Sequence, residues 1–291
     1  MPTIEIKMEV PFEAAALLED LLAELEEQRL MILEDKPSGR AWLIGYFKSQ
    51  AEAEATWASL LSGTDKAWAR VAPALRELPD EDWKNSYKAH FKAWKFGRLN
   101  WVPVWERETF VVPAGEEVLW LDPGMAFGTG NHETTRLCCE RVARYAESRG
   151  TSARMIDAGC GSGILALSAA KLGFDGLTGF DNDPEAIRVS EENAALNGLA
   201  GRVNFFVGDL VTGLAGRSAE LVLANIQADV LMRFVDELCA VVAPGGQLVL
   251  SGILRPELEV VRAKFSVAAG GWRVESRELG EWADLALSRP A

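Results

Sequence analysis

The chain has 291 residues, 48% of them apolar and 25% charged, with 26 Gly and 12 Pro. These proportions exclude a mainly disordered chain, a collagen and a coiled-coil rod, and the length suits one large domain or two modest ones. Lys and Arg number 30 against 43 Asp and Glu, a net charge of −13, which disfavours generic nucleic-acid binding, because neutralising phosphates needs a cationic surplus, and favours a basic partner.

Residues 3–10 read TIEIKMEV, and the alternation of Ile4, Ile6, Met8 and Val10 predicts a strand. Pro11 is placed to start a helix in which Ala15, Leu18, Leu22 and Leu25 form an apolar stripe opposite Glu13, Asp20, Glu24 and Glu27. Short strands are expected around 30–33 and 41–47, separated by the turn Pro37-Ser38-Gly39. A second helix follows near 51–61 and a fourth strand at 66–71. The order β-α-β-β-α-β predicts a ferredoxin-like sandwich. Residues 1–78 hold 14 acidic and 8 basic side chains, so this module carries much of the negative charge.

The polar segment PDEDWKNSYKAHFK, residues 79–92, reads as a helix joining two domains. Eight of the ten Trp lie between Trp42 and Trp120, an aromatic cluster suited to core and interdomain packing. From about residue 153, strands at 154–158, 176–181, 203–207, 221–224 and 247–251 alternate with helices at 164–172, 184–197, 228–242 and 256–265. This predicts a parallel, doubly wound α/β sheet. The expected division is 1–75 for the small domain, 76–100 for the linker helix and connection, and 101–291 for the catalytic domain.

The densest motif is MIDAGCGSGILALSAAKLG at 155–173. A strand ends near Asp157, then Gly159, Gly161 and Gly163 lead straight into a helix. Such glycines let a bound cofactor approach the backbone, and the helix N-terminus offers free N–H groups. The next strand ends at Asp181, 22 residues beyond Gly159, where a carboxylate can accept both hydroxyl hydrogens of a ribose. Asp183 fits the cap of the following helix better than Asp181 does. Asp209, after the third strand, lies where an adenine ring would reach. A dinucleotide fingerprint would be Gly-x-Gly-x-x-Gly, and here the third Gly comes one residue early. The pattern Asp-x-Gly-x-Gly-x-Gly instead resembles the first motif of class I methyltransferases that use S-adenosylmethionine (AdoMet).

A second glycine-rich segment, LDPGMAFGTGNHETTRLC, spans 121–138. Asn131 is the expected N-cap of the helix that follows. His132 is a candidate base, against the plainer role of orienting the loop or capping the helix. The fourth strand ends at Ala224-Asn225-Ile226. Strand ends line the crevice of a doubly wound sheet, so Asn225 is expected near the reacting centre, its amide oxygen orienting a nucleophilic nitrogen.

The segments EDW at 81–83, LDPGMAFGTGNHETT at 121–135, DAGCGSG at 157–163, GFDNDP at 179–184, ANI at 224–226 and SGIL at 251–254 together resemble the PrmA family of bacterial ribosomal-protein methyltransferases, which act on protein 11 of the large ribosomal subunit (L11). The resemblance implies AdoMet as cofactor, held by Thr135, Gly159, Asp181 and Asn225 and by the loop containing Asp157, Gly161 and Gly163, with Phe127 closing over it. It implies methyl transfer to lysine ε-amines or an N-terminal α-amine of L11, and substrate recognition by the small N-terminal domain. Glu220 departs from the family's common Asp. Alternatives are another class I enzyme acting on a different protein or on RNA, and an AdoMet-binding regulator without turnover.

No apolar run of about 18 residues predicts a membrane span, and MPTIEIKMEV does not read as a signal peptide. Cys138 and Cys139 are adjacent, Cys160 lies in the glycine loop, Cys239 is isolated, and His90 and His132 are the only histidines. That set predicts neither a disulfide framework nor a metal site. A monomer in a reducing cytoplasm is expected.

Overall fold

In a computed structural model, which describes residues 3–14, 18, 22, 30–35, 39–62, 73–78, 93–121 and 132–291, the N-terminal alternation becomes strand β1 (Thr3–Val10). Ile6, Met8 and Val10 are buried while Lys7 and Glu9 are exposed, as a half-covered strand requires. β2 (Leu30–Asp35), β3 (Arg40–Phe47) and β4 (Ala74–Leu78) complete an antiparallel sheet in the order β2-β3-β1-β4. Its core joins Leu43 and Phe47 of β3 to Ala53, Trp57 and Leu60 of helix α1 (Gln50–Ser62) and to the helical residues Leu18 and Leu22. The strand order is that of a ferredoxin-like sandwich. The fourth strand lies at 74–78, later in the chain than expected, where Leu75 pairs with Ile6. The expected strand at 66–71 and linker helix at 79–92 lie outside the described residues.

The chain divides into two compact units, Met1–Phe91 and Lys92–Ala291. The second opens with β5 (Trp94–Phe96), β6 (Leu99–Pro103) and β7 (Glu117–Leu121), a separate three-stranded sheet. Residues 94–100, expected as connection, are thus strand and turn. Trp101 is fully buried against Phe96 and donates its indole N–H to Ser168 Oγ at 2.8 Å.

Helix α2 (Glu133–Arg149) is followed by β8 (Met155–Ala158), α3 (Ile164–Leu172), β9 (Leu177–Asp181), α4 (Pro184–Leu196), β10 (Val203–Val207), β11 (Ala219–Asn225), α5 (Ala228–Arg233), α6 (Val235–Ala240), β12 (Val242–Leu254), α7 (Leu258–Ala268), β13 (Arg273–Leu279) and β14 (Trp282–Ser288). The sheet runs β10-β9-β8-β11-β12-β14-β13, parallel except for β14. Alternate residues face opposite cores. Met155, Leu221 and Leu223 meet α2 and α3, whereas Ile156, Val222 and Ala224 meet α5, α6 and α7. Burial on both faces explains the near-continuous apolar strands.

The single helix expected over 228–242 is two helices broken at Phe234 (φ −111°, ψ 33°). The expected fifth strand extends well beyond 247–251. The β13–β14 hairpin, turning at Gly280 (φ 61°), adds two strands beyond the five expected. Among the described residues no helix is long and apolar enough to cross a membrane.

Candidate active site

The C-terminal ends of the parallel strands open into a cavity of about 790 Å³. Its floor is the turn after β8. Gly159, Gly161 and Gly163 all have positive φ (74°, 53° and 76°), the region that only glycine enters cheaply. Space is equally restrictive: a Cβ on Gly159 would lie 2.6 Å from Ile226 Cγ2, and one on Gly163 2.8 Å from Ser190 Oγ. Neighbours fix the turn from several sides. Gly159 and Cys160 donate their N–H groups to the Phe180 carbonyl, Ser190 Oγ donates to Gly161 O, and Asn193 Nδ2 to Ser162 O.

Asp181, at the end of β9, lines the cavity and is partly exposed. Its Oδ2 accepts from Gly161 N at 2.9 Å and its Oδ1 from Asp183 N at 3.1 Å. Each oxygen therefore holds one bond within the protein and keeps acceptor capacity toward the cavity. Asp183 accepts from Glu185 N at 2.8 Å and caps α4, which leaves Asp181 to the cavity. Asp209 also lines it, but Asp209 Oδ1 accepts from Val211 N, Thr212 N and Thr212 Oγ1. These bonds hold its carboxyl below the usual range and commit that oxygen to its own turn.

Asp157 lies beneath the floor, outside the lining. It is 1% exposed, and Oδ2 accepts from Ala166 N in the first turn of α3, while Oδ1 has no partner among the described residues. Burial pushes this carboxyl up to about 7, against the pull of the Ala166 bond. The folded protein therefore holds a proton that the unfolded chain releases near pH ~4. The resulting stability is present at low pH and is lost as pH rises through 7, by up to roughly 4 kcal/mol. Asp157→Asn, which cannot titrate, is expected to melt at a nearly constant temperature from pH 5 to 8 while the parent chain loses stability; parallel curves for the two would refute the assignment.

At the centre Asn225 ends β11, with Nδ2 at 3.4 Å from Thr135 Oγ1. Thr135 is buried and does not line the cavity; Thr134 does. The N-cap of α2 is His132, not Asn131: its Nδ1 accepts from Thr134 N and lies 2.8 Å from Thr134 Oγ1. His132 thus takes the capping role, and its ring packs against Trp282 at 4.8 Å. Phe127 and Asn131 lie outside the described residues. Glu220 is remote from the cavity, where Arg154 binds both its oxygens at the start of β11.

Sequence reasoning missed a wall of apolar groups, Leu210, Ile226, Val230 and Phe234, with Arg233 beside them, and the far rim of Gly252 and Trp282. The motifs ANI and SGIL contained Ile226 and Gly252; the break at Phe234 and the placing of Trp282 depend on tertiary structure. No group of three His, Cys, Asp or Glu among the described residues is placed to hold a metal.

The strand order, the glycine turn and the acid at the end of the second strand define a class I methyltransferase. The chain belongs to the family of ribosomal protein L11 methyltransferases (PrmA), whose profile matches residues 7–290. It is 37% identical over 308 aligned positions to the ribosomal protein L11 methyltransferase of Geobacter sp. (strain M21), covering 98% of each chain. It is 43% identical to that of Geobacter sulfurreducens, covering 74% of this chain and 68% of that one. The crystal structure of ribosomal protein L11 methylase from Lactobacillus delbrueckii subsp. bulgaricus matches with a TM-score of 0.61 at 30% identity, over 69% of this chain and all of that one.

Proposed function

We propose that the chain methylates amine nitrogens of ribosomal protein L11, lysine ε-amines or the N-terminal α-amine, with AdoMet as methyl donor. The carrying observation is the cavity itself, in which the Gly159–Gly163 turn, Asp181 and Asn225 face one another in a member of this family. The lining suits AdoMet better than a phosphate-bearing cofactor. Asp181, Asp183 and Asp209 crowd the turn, and Arg233 is the one Lys or Arg among the described lining residues, whereas a pyrophosphate at the turn would need a cationic or N–H-rich surround.

AdoMet supplies a sulfonium methyl that an amine lone pair can take, the broken C–S pair remaining on sulfur. Asp181 would accept from the ribose hydroxyls, and Leu210, Val230 and Phe234, which line the same cavity, would cover the base. Asn225 Nδ2 donates to Thr135 Oγ1, which leaves the amide oxygen, without a partner among the described residues, to accept an amine N–H and aim the lone pair. Lysine is an ammonium at neutral pH, with a usual pKa of ~10.4, and must first release a proton to solvent. Desolvation in the cavity favours that loss. The lining offers alignment rather than a strong base, so proximity supplies most of the acceleration.

We assign L11 recognition to residues 1–75. In support, residues 1–78 carry 14 acids against 8 bases, a charge balance suited to a basic protein. The decisive assay offers labelled AdoMet together with L11, other ribosomal proteins and rRNA. Label in L11 is expected; label in rRNA alone would overturn the proposal.

A further inference from the structure

The cavity has a direction. Its ribose-binding acid lies at β9, its base-covering residue Leu210 follows β10, Asn225 ends β11, and Trp282 opens β14 beside Leu254 of β12. Trp282 lies two strands across from Asn225 on the side away from the ribose acid, with β12 between, and its partner Leu254 is three residues past Ser251, the partner of Asn225, so it stands at the outer end of the cavity rather than at the reacting centre. Once the donor occupies the β9-to-β11 half, the remaining end is where the acceptor must enter.

That end has an unusual chemistry for receiving a cation. It is lined by His132, Thr134, Gly252 and Trp282, and no carboxylate lines it among the described residues. The acids of the cavity, Asp181, Asp183 and Asp209, are all at the other end. The group suited to an alkylammonium there is the half-buried indole of Trp282, because a π face attracts ammonium ions without a counter-charge. The indole is held in place. His132 packs against it in a T-shaped contact at 4.8 Å. Gly252 (φ 81°) leaves the neighbouring strand bare, since a Cβ there would lie 2.4 Å from Ile226 O.

We infer that Trp282 is the specificity-determining wall of the acceptor end: its indole meets the acceptor's ammonium on entry, before the proton is lost and the amine reaches Asn225, and the methylated ammonium on exit, and selects an alkylammonium over a neutral group of the same shape. This rests on the proposed amine methylation, and each fails by a different result. The label assay decides that reading, whereas binding of unreactive probes decides this one.

The probes are the amide of Nε-trimethyllysine and its neutral isostere with carbon in place of the ammonium nitrogen. Both are titrated calorimetrically into the full chain saturated with S-adenosylhomocysteine. The cation is expected to bind about tenfold tighter than the isostere. Trp282→Leu should reduce the preference to within twofold and Trp282→Phe should keep most of it. Tryptophan with one to four ring fluorines placed at position 282, which keeps shape and fold, should erode the preference stepwise as the π face loses electron density. Equal binding of the two probes by the parent chain, or a preference indifferent to fluorination, would overturn the inference.

Discussion

Asp181→Ala is expected to weaken AdoMet binding at least a hundredfold by calorimetry. A carboxylate accepting two ribose hydroxyls makes two charge-assisted bonds of about 1.5–3 kcal/mol each, and no other described side chain at the end of β9 replaces both. The variant also frees Gly161 N–H and Asp183 N–H from their acceptors, so some loss will come from a looser turn. Asp181→Asn separates the two effects. Its amide oxygen can still hold Gly161, while its NH2 meets the ribose as a donor and forfeits only the Asp183 N–H bond, so it should lose less of the unliganded melting temperature than the Ala variant and still bind poorly. The ligand-induced stabilisation follows: about 2.7 kcal/mol at a hundred times Kd for the parent chain, and almost none for the variant at the same concentration. Unchanged affinity would remove Asp181 from the ribose role.

What was legible in the sequence follows from where the determining forces act. Helix α3 is bounded by Gly163 and Gly173, both left-handed, and its limits were read to the residue because local backbone geometry sets them. Asp183 was separated from Asp181 on the same local grounds, since a cap must precede its helix. Elements fixed by distant partners were not legible. RVESREL in β13 is an edge strand with five of its seven side chains polar, and only pairing with β14 makes it a strand. Trp282 could not be placed for that reason: its position depends on the antiparallel insertion of β14 between β12 and β13.

The site was legible to a similar degree. Gly159, Gly161, Asp181, Asp209 and Asn225 came from motifs and do line one cavity. Asp157, Gly163 and Thr135 came from the same motifs but act one layer behind, holding α3, the packing against Ser190 and the Asn225 amide respectively. A motif records which residues are needed without recording which of them touch a ligand. His132 illustrates the limit: a lone histidine beside a glycine loop is compatible with a base or with a cap, and its bonds to Thr134 select the cap.

Asp284→Ala is expected to be the most destabilising single change in the catalytic unit, by about 3–5 kcal/mol. Asp284 is fully buried in β14, two residues beyond Trp282. It accepts from Arg141 Nε and Nη2 of α2 at 2.9 and 2.8 Å, and from Arg277 N, Nε and Nη2 of β13 at 2.9, 3.2 and 2.8 Å. Arg277 also reaches Glu140 Oε2 and the Leu137 carbonyl, and Arg141 reaches Glu275. Removing the shared carboxylate leaves the Arg141 guanidinium, only 6% exposed, with the longer Glu275 contact at 3.3 Å as its remaining ion pair, and that under-compensated buried charge, more than any lost contact, sets the cost. Native-state hydrogen exchange at Leu285 and Leu287 should register it as faster opening of the β14 amides. The triple change Asp284→Leu, Arg141→Leu and Arg277→Met removes all three charges together and should recover much of the loss, as fully replaced buried ion networks do. The network also joins the two elements that carry the acceptor rim, α2 capped by His132 and β14 opened by Trp282. The charge-free triple variant can therefore be stable and yet less selective for the cationic probe, because Leu and Met fix helix and strand less rigidly than five hydrogen bonds to one carboxylate do.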